Sequence, residues 1–566
     1  MTSNKNMNVD CLCFQKDEEN RRRSANYKPN IWKHGFLQSL PTKYDKEESD
    51  MQLVRLLIEV KGIFVEKSGV LQKLELVDWI QKLGVANYFQ KEVNEFLETT
   101  IVSLKNNKNP SAEESLHVAA LSFRLLRQHG YKVSPDILGS FLNEKGAMIS
   151  KISCANDAKD IMELFEASHL RLEEENILED AKSVVINSLK DAFVVPSSIN
   201  INVLHSERVV HALELPSHWR VPWFDVKWHV KQYQKEKHME HVLLELAKLN
   251  FNLIQLKLQK EIKELSRWWE NLGIEKELSF ARNRLVESFM CSAGVAIQPK
   301  YKSLRKWLTK VITFVLVIDD VYDIHASFEE VKLFTEAFER WDAEEIEQLP
   351  EYMKICFNSL KDVTDETAYE IAGEKKFYMV LSYLKKAWID FCKALLVEAK
   401  WYSEGYIPSL KEYINNAWIS SSGPVILLHI YFATMHKVTY DEIDHFLHTY
   451  EDLVYNVSLI IRLCNDLGTT LAERERGDAA SSIICYMNEM DVSEDKARKH
   501  IEEMINNAWK KINWYGTNRV ASMEPFITQA RNAARVAHTL YQNGDGFGIQ
   551  DRDIKKHILS LLVEPL

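Results

Sequence analysis

The segment Val311-Ile-Thr-Phe-Val-Leu-Val-Ile-Asp-Asp-Val-Tyr-Asp323 joins a largely apolar run of eight residues to three aspartates. Its β-branched residues are typical of a strand, but the surrounding tract from Pro299 to Pro350 has no internal glycine or proline. Further along the tract, apolar residues recur at helical spacings of three and four: Val331, Phe334, Phe338 and Trp341. The sequence therefore predicts one long helical tract, in which residues 311–318 form a helix buried on all sides.

The composition indicates an all-α fold of two helical domains. The chain has 566 residues, 46% of them hydrophobic, and single cores stop growing at about 250 to 300 residues. Glycine (18) and proline (13) are scarce for this length, which favours helices over a turn-rich β architecture. Pro216 and Pro222 mark the clearest composition break. We therefore expect an N-terminal domain over 1–222 and a C-terminal domain over 223–566.

Charge and cysteine content narrow the classes of partner and compartment. The formal net charge of −11 argues against a nucleic-acid partner, because such proteins carry a basic face. The eight cysteines form no CxxC pair and are interpreted as reduced thiols of an intracellular protein. No stretch approaches the ~20 apolar residues of a membrane span. Acidic residues precede Arg21, unlike a transit peptide, so a cytosolic location is expected.

The aspartates that follow the apolar run are a candidate metal site. Asp319 and Asp323 are one helical turn apart and so share a face. Like charges in that arrangement are costly unless a cation neutralises them. Carboxylates suit Mg²⁺, which commonly binds through a few of them together with substrate phosphates. A solvated acidic helix end is the alternative, and this motif alone leaves the choice open.

A second cluster favours the metal interpretation. Asn465, Thr469 and Glu473 follow one another at intervals of four and place three oxygen groups on one helix face. Arg462 lies about one turn earlier, where its guanidinium is suited to bidentate binding of a phosphate. Ordinary surface polarity is the alternative for this cluster. Two such clusters in one chain make the alternative much weaker.

A pair of arginines forms the third candidate element. Arg282 and Arg284 are permanently charged and suited to holding a departing pyrophosphate. Their neighbours Phe280, Leu285 and Phe289 predict a helix docked on the core. Arginine pairs are common on surfaces, so the weight of this motif comes from its position relative to the other two.

The chain resembles the angiosperm terpene synthases along essentially its whole length. The resemblance rests on six motifs in order: the RR(x)8W signature from Arg22 to Trp32, the RxR motif at 282–284, the aspartate-rich motif at 319–323, the second metal motif at 465–473, and later blocks at 476–478 and 541–548. It implies a non-catalytic N-terminal domain and a class I active site in the mouth of the C-terminal helical bundle. The chain lacks the DxDD motif of protonation-initiated chemistry.

The same resemblance assigns the metal ligands and the charge that meets the diphosphate. It implies three Mg²⁺ ions, with Mn²⁺ as a substitute, held by groups on two facing helices: Asp319, Asp320 and Asp323 on one wall, with Asp320 more often a supporting carboxylate, and Asn465, Thr469 and Glu473 on the other. It also implies that four arginines neutralise the departing diphosphate: Arg282, Arg284, Arg462 and Arg476.

A carbocation must be kept from water, so the family scheme includes a lid and aromatic walls. By resemblance, residues 541–548 and the arm carrying Arg22 and Arg23 close over the mouth. Three aromatic residues are candidates for facing the cation: Trp268, Trp269 and Tyr541. The Ser420-Ser-Ser-Gly-Pro424 break resembles the kinked helix whose carbonyls face the cation.

Several stretches resemble the family members that make (E,E)-α-farnesene, among them 215–227 and 391–398. The implied reaction is ionisation of farnesyl diphosphate and loss of a proton from C4. The alternatives are (E)-β-ocimene from geranyl diphosphate, and nerolidol or linalool by water capture. An alternative from a different class is a catalytically silent helical protein that binds prenyl ligands. The chain retains every expected type of metal-ligating residue, which argues against this alternative. The protein is expected to act as a monomer.

Overall fold

The computed structural model describes residues 25, 27–41, 46–106, 115–139, 141, 158–194, 203–342, 344–435, 439–477, 480–518, 520–548 and 550–566. Within these ranges, the regular secondary structure is helical throughout, which confirms the predicted fold class. No helix of the described chain is long and apolar enough to cross a membrane.

The described chain before Pro222 folds into short and medium helices that pack on one another. They are α1 (His34–Ser39), α2 (Lys46–Glu66), α3 (Val70–Lys82), α4 (Gln90–Asn106), α5 (Leu116–Gln128), α6 (Ala158–Ser168), α7 (Asn176–Val194) and α8 (Val203–Glu214). Helix α5 shows why they pack: Ser115 caps its N-terminus, and its apolar residues are buried against α6.

Longer helices follow and include those that surround the site. They are α9 (Pro222–Tyr233), α10 (His241–Leu272), α11 (Leu285–Val295), α12 (Lys302–Asp320), α13 (Phe328–Arg340), α14 (Glu351–Glu404), α15 (Leu410–Ser420), α16 (Gly423–Thr434), α17 (Tyr440–Thr449), α18 (Glu451–Arg476), α19 (Ser482–Met490), α20 (Glu494–Thr517), α21 (Glu524–Tyr541) and α22 (Arg552–Leu562). Helix α14 is kinked at Gly373.

Helix α9 begins at Pro222, as the proline break led us to expect. It packs on α3 before it and on α10 and α11 after it. A helix that follows the predicted boundary thus contacts both parts of the chain. The division at 222/223 stays a prediction.

Helix α12 carries the apolar run to the site. Its residues from Val311 to Ile318 are buried apart from Val315, which is partly exposed, so the predicted buried helix is confirmed. The predicted continuity of the tract is wrong. A π-helical turn, Val321–His325, follows Asp320, and α13 restarts at a capping box formed by Ser327. A serine cap and a wide turn break a helix without glycine or proline.

The segment that carries Arg282 and Arg284 is not helical, contrary to the prediction. Helix α10 ends at Gly273, which takes a left-handed conformation with φ of 65°. Helix α11 begins only at Leu285, with Arg284 as its N-cap residue. The two arginines therefore lie on a connecting segment, where helix geometry does not constrain the directions of their side chains.

The predicted break at 420–424 is confirmed. Helix α15 ends at Ser420, Ser422 adopts φ of 62°, and α16 begins at Gly423. A Cβ atom on Gly423 would lie 2.2 Å from Oγ of Ser458, so this position accepts only glycine at the observed spacing of α16 and α18.

Candidate active site

Helices α11, α12, α16, α18 and α21 pack around a cavity of about 130 Å³. Its floor is aliphatic, with Ile312, Leu316, Ile426 and Ala533 among the lining residues, and its mouth is polar. This volume is below the ~300–1,000 Å³ typical of ligand pockets, so a prenyl chain requires movement of side chains at the mouth.

Larger cavities exist elsewhere, including one of about 560 Å³ between helices before Pro222 and α9. Many of the charged side chains that line it form ion pairs with one another: Arg124 binds Asp78 and Glu163, and Lys159 binds Glu75. The smaller cavity combines an apolar floor with converging cationic and acidic groups. We therefore consider it the candidate active site.

Five residues from four sequence motifs line this one cavity. They are Arg282, Asp319, Arg462, Asn465 and Tyr541. The two metal-motif helices, α12 and α18, thus present Asp319 and Asn465 to the same space. The sequence prediction that these two faces meet across one hollow is confirmed for this pair.

The other predicted metal ligands lie close to these in sequence but do not line the cavity. Thr469 is buried one turn after Asn465 and donates a hydrogen bond from its hydroxyl to the Asn465 carbonyl, at 2.9 Å. Asp323 is partly exposed in the π-helical turn, and Glu473 is partly exposed near the end of α18. The side chain of Arg476 and all of Arg22 and Arg23 lie outside the described residues.

Arg282 is bound by both aspartates at the end of α12. Its Nη2 lies 2.5 Å from Oδ2 of Asp319, and its Nε lies 2.9 Å from Oδ1 of Asp320. Its backbone N–H also donates to Asp320, at 2.7 Å. Asp320 is fully buried, and burial raises the pKa of its carboxyl to about 6 against the opposing charge of Arg282. Asp320 therefore orients Arg282, while Asp319 faces the cavity.

Arg462 is held by a buried group of polar side chains. Its Nη2 donates to Ser420 Oγ at 2.8 Å, and its guanidinium lies 3.6 Å from Glu398 and 3.9 Å from Asp466. Asp466 in turn accepts hydrogen bonds from the Tyr413 hydroxyl, at 3.0 Å to each oxygen. Burial raises the pKa of Glu398. Two carboxylates thus fix one guanidinium at the mouth of the cavity.

Sequence reasoning missed Glu398 and Tyr413 as members of this group. Neither residue was assigned a role by the motifs on its helix, and only packing brings both to Arg462. One signal was available: Glu398 is a carboxylate in the largely apolar stretch 391–398, which demands a buried partner.

Tyr541 closes one side of the cavity at the end of α21. Burial raises the pKa of its phenol well above the usual value, with the negative charge of Asp545 as the next cause. Tyr541 and Phe547 are the aromatic residues among those that line the cavity.

Trp268 and Trp269 do not line this cavity. Trp268 lies under Lys310, whose Nζ is 4.8 Å from the indole centroid, in a separate cleft. Trp269 borders another cleft that it shares with Tyr27 and Val317. The family resemblance made both residues candidates for the site, but the sequence gives no information about which way each indole points.

The donors at the mouth are of the type that hard divalent cations prefer. The carboxylate of Asp319 and the amide oxygen of Asn465, which line the cavity, suit Mg²⁺ better than soft metals. In the described part of the chain, no three His, Cys, Asp or Glu side chains group together as a complete metal cage.

Fold and site together define a class of protein: an all-helical enzyme with a cationic and acidic mouth over an aliphatic cavity. Two family models match the chain. The model described as terpene synthase, N-terminal domain covers residues 31–213, and the model described as terpene synthase family, metal binding domain covers residues 270–511.

The chain is also similar to curated proteins over nearly its whole length. It is 53% identical over 546 residues to an alpha-farnesene synthase of Ricinus communis, covering 96% of this chain and 95% of the relative. It is 52% identical over 554 residues to an (E,E)-alpha-farnesene synthase of Malus domestica, covering 97% and 94%. It is 43% identical over 545 residues to a chloroplastic alpha-thujene synthase of Litsea cubeba, covering 96% and 92%.

Two solved structures resemble the fold closely. Limonene synthase with 2-fluorolinalyl diphosphate superposes with a TM-score of 0.91 at 36% identity, covering 96% of this chain and 100% of that one. Isoprene synthase from grey poplar (Populus x canescens), in complex with three Mg²⁺ ions and dimethylallyl-S-thiolodiphosphate, superposes with a TM-score of 0.84 at 39% identity. This match covers 95% of this chain and 99% of that one. The chain belongs to the terpene synthase family, and it is a lyase that acts on diphosphates.

Proposed function

We propose that the protein ionises farnesyl diphosphate and deprotonates the resulting cation to (E,E)-α-farnesene and diphosphate. The observation that carries the proposal is the convergence of Arg282, Arg462, Asp319 and Asn465 on one aliphatic cavity. Support for the product comes from the two farnesene synthases that are 53% and 52% identical over nearly the full chain.

The reaction begins with cleavage of the C1–O bond, whose electron pair leaves with the diphosphate. Arg282 and Arg462 stabilise the developing negative charge, which lowers the barrier to ionisation. Each guanidinium is fixed by carboxylates before substrate arrives, so little reorganisation is needed.

Divalent metal, when bound, supplies further positive charge to the leaving diphosphate. We assign its ligands to Asp319 and Asp323 on one wall and to Asn465, Thr469 and Glu473 on the other, with Asp320 supporting Arg282. Three Mg²⁺ ions are proposed by analogy with the isoprene synthase complex, with Mn²⁺ as a substitute. Asp319, which contacts Arg282 in this structure, would hold the metal with the same carboxylate.

The allylic cation then loses a proton from C4 to form the new C3–C4 double bond. Departed diphosphate is the nearest base and accepts that proton. Aliphatic side chains such as Ile312, Leu316 and Ile426 surround the carbon chain, and Tyr541 and Phe547 present aromatic faces worth about 1 to 2 kcal/mol each when desolvated.

Geranyl diphosphate is the alternative substrate, because the 43% identical relative is named an alpha-thujene synthase. Its acyclic product would be (E)-β-ocimene, and water capture would give linalool or, from the longer substrate, nerolidol. To decide, purified protein is incubated with Mg²⁺ and each diphosphate separately, and the volatiles are identified. Only ten-carbon products would overturn the farnesene assignment, and no diphosphate release with either substrate would overturn the ionisation mechanism.

Cytosolic location and a monomeric state complete the proposal. Cytosol supplies farnesyl diphosphate, consistent with the expected substrate. A fluorescent fusion expressed in leaf cells tests the compartment, and light scattering during gel filtration tests the mass of the particle against that of one chain.

A further inference from the structure

Arg284 is directed away from the cavity that Arg282 faces. It is 1% exposed, and its Nε donates to the Phe547 carbonyl at 2.5 Å while its Nη2 reaches the Gly548 carbonyl at 3.5 Å. Its Nη1 donates to the carbonyl of its neighbour Asn283, at 3.0 Å. The guanidinium is therefore engaged with the loop that follows Tyr541.

Glu287, one turn further along α11, is engaged with both that loop and the N-terminal segment. Its Oε1 accepts hydrogen bonds from Trp32 Nε1 and from Gln550 Nε2, each at 2.8 Å. The carboxylate is 3% exposed, and burial raises its pKa against the effect of these two donors. A buried carboxylate shared by two chain segments ties both of them to α11.

Gln550 joins the two segments directly. Its Oε1 accepts from the Ile31 backbone N–H at 3.1 Å, and its Nε2 also donates to Asn30 Oδ1 at 3.2 Å. The ends of the chain, more than 500 residues apart in sequence, thus share one hydrogen-bonded group.

The loop that Arg284 holds forms part of the cavity wall. Phe547 lines the cavity, and the Asp545 carboxylate fixes the loop by accepting from the backbone N–H groups of Phe547 and Gly548, at 3.0 and 2.7 Å. Displacing this loop would move an aromatic side chain away from the cavity and admit water.

We propose that the first turn of α11 is a clamp, in which Arg284 and Glu287 hold residues 27–32 and the loop residues 541–548 and 550 together, so that Phe547 keeps its place in the cavity wall. Arg284 and Glu287 are positioning residues, because they act through these two segments. The inference rests on the proposed ionisation, since its purpose is to keep water from the cation.

The test uses Trp32→Phe and Gln550→Leu, which remove donors to Glu287 without altering the polar mouth. Trp307→Phe is the matched control, because its Nε1 donates to Glu370 at 2.7 Å in a different cleft. With farnesyl diphosphate and Mg²⁺, we expect the ratio of alcohol to hydrocarbon products to rise about threefold or more in both variants, because a loosened loop admits water to the cation. It stays at the wild-type value in the control.

Hydrogen exchange provides a second measurement that needs no activity. Trp32→Phe should lower amide protection in 541–550, and Gln550→Leu should lower it in 27–32, because the segments share one clamp. Exchange changes confined to the mutated segment, or a product ratio equal to that of the control, would overturn the clamp. If wild-type protein releases no diphosphate, the proposed function fails, and reciprocal exchange alone then decides the clamp.

Discussion

Asp319 and Asp320 are adjacent carboxylates with different surroundings. Asp319 is partly exposed to the cavity, whereas Asp320 is fully buried and accepts hydrogen bonds from Arg282. A helix places consecutive side chains about 100° apart, so one residue faces the substrate while the next faces the protein. This rotation explains why Asp319 faces the cavity whereas Asp320 contacts Arg282.

Replacing Asp319 by alanine should abolish diphosphate release from a prenyl diphosphate. The variant loses the carboxylate that we propose as a metal ligand and one of the two carboxylates bound to Arg282, and losses of about 10²-fold or more in kcat are typical of such groups. Release is measured with excess Mg²⁺ to compensate for weaker binding. Asp390→Ala, in an exposed pair with Lys386, is the control. Wild-type rates in Asp319→Ala would reject metal-dependent ionisation, and Glu473→Ala is tested the same way.

Glu398→Gln should weaken substrate binding although Glu398 does not line the cavity. The change leaves Arg462 with a single carboxylate partner, so its guanidinium loses its fixed position at the mouth. We expect KM to rise about tenfold, which corresponds to ~1.4 kcal/mol, and inhibition by inorganic pyrophosphate to weaken in parallel. Glu370→Gln is the matched control. Unchanged or tighter pyrophosphate inhibition would contradict the positioning role.

At the scale of helices, the site depends on the close approach of α16 and α18. The break at Ser422 lets α16 start beside Ser458 of α18, and Gly423 is the residue at the contact. Glycine is otherwise unfavourable in helices by about 0.5–1 kcal/mol relative to alanine. Its presence here is explained by packing, since any side chain would push the helices apart.

Gly423→Ala should therefore lower the melting temperature and the activity together. The added methyl group overlaps Ser458, and overpacking of this kind costs about 1–3 kcal/mol. Gly62→Ala in α2 is the control, because no atom lies within 4 Å of the new methyl group and helix propensity should increase stability slightly. Equal melting temperatures for the two variants, measured by calorimetry, would contradict this account.

At the scale of the whole molecule, aromatic stacking joins the segment before Pro222 to the helices of the site. His538 of α21 stacks on Trp219, with ring centroids 4.9 Å apart, and its Nε2 accepts a hydrogen bond from Trp509 at 2.9 Å. Burial lowers the pKa of His538 to about 3. The folded state thus keeps this imidazole neutral.

His538 should make the protein less stable in mild acid. Below about pH 6.5 the unfolded chain binds a proton at this residue and the folded chain does not, so the free energy of unfolding falls with decreasing pH until about pH 3. The contribution is at most about 1.4 kcal/mol per pH unit. Comparing His538→Phe with wild type by denaturation from pH 7 to 4.5 should show a shallower decline in the variant. Parallel declines would contradict the prediction.

The sequence alone determined the fold class, the buried helix 311–318, the break at 420–424 and five residues of the cavity mouth. The helices and the break follow from local rules: helical periodicity, proline and glycine placement, and spacings of four that align side chains on one helix face. The resemblance to a family, rather than spacing, supplied the expectations that Asp319 and Asn465 face one another and that Tyr541 borders the site.

Only the tertiary structure decided what surrounds each of those residues. It turned Arg284 toward Phe547 and Gly548, placed Trp268 and Trp269 in other clefts, and brought Glu398 and Tyr413 to Arg462. The physical reason is that a residue's local pattern fixes its place on a helix or turn, whereas its partners depend on how distant elements pack. Ion pairs and hydrogen bonds between residues far apart in sequence exist only after that packing.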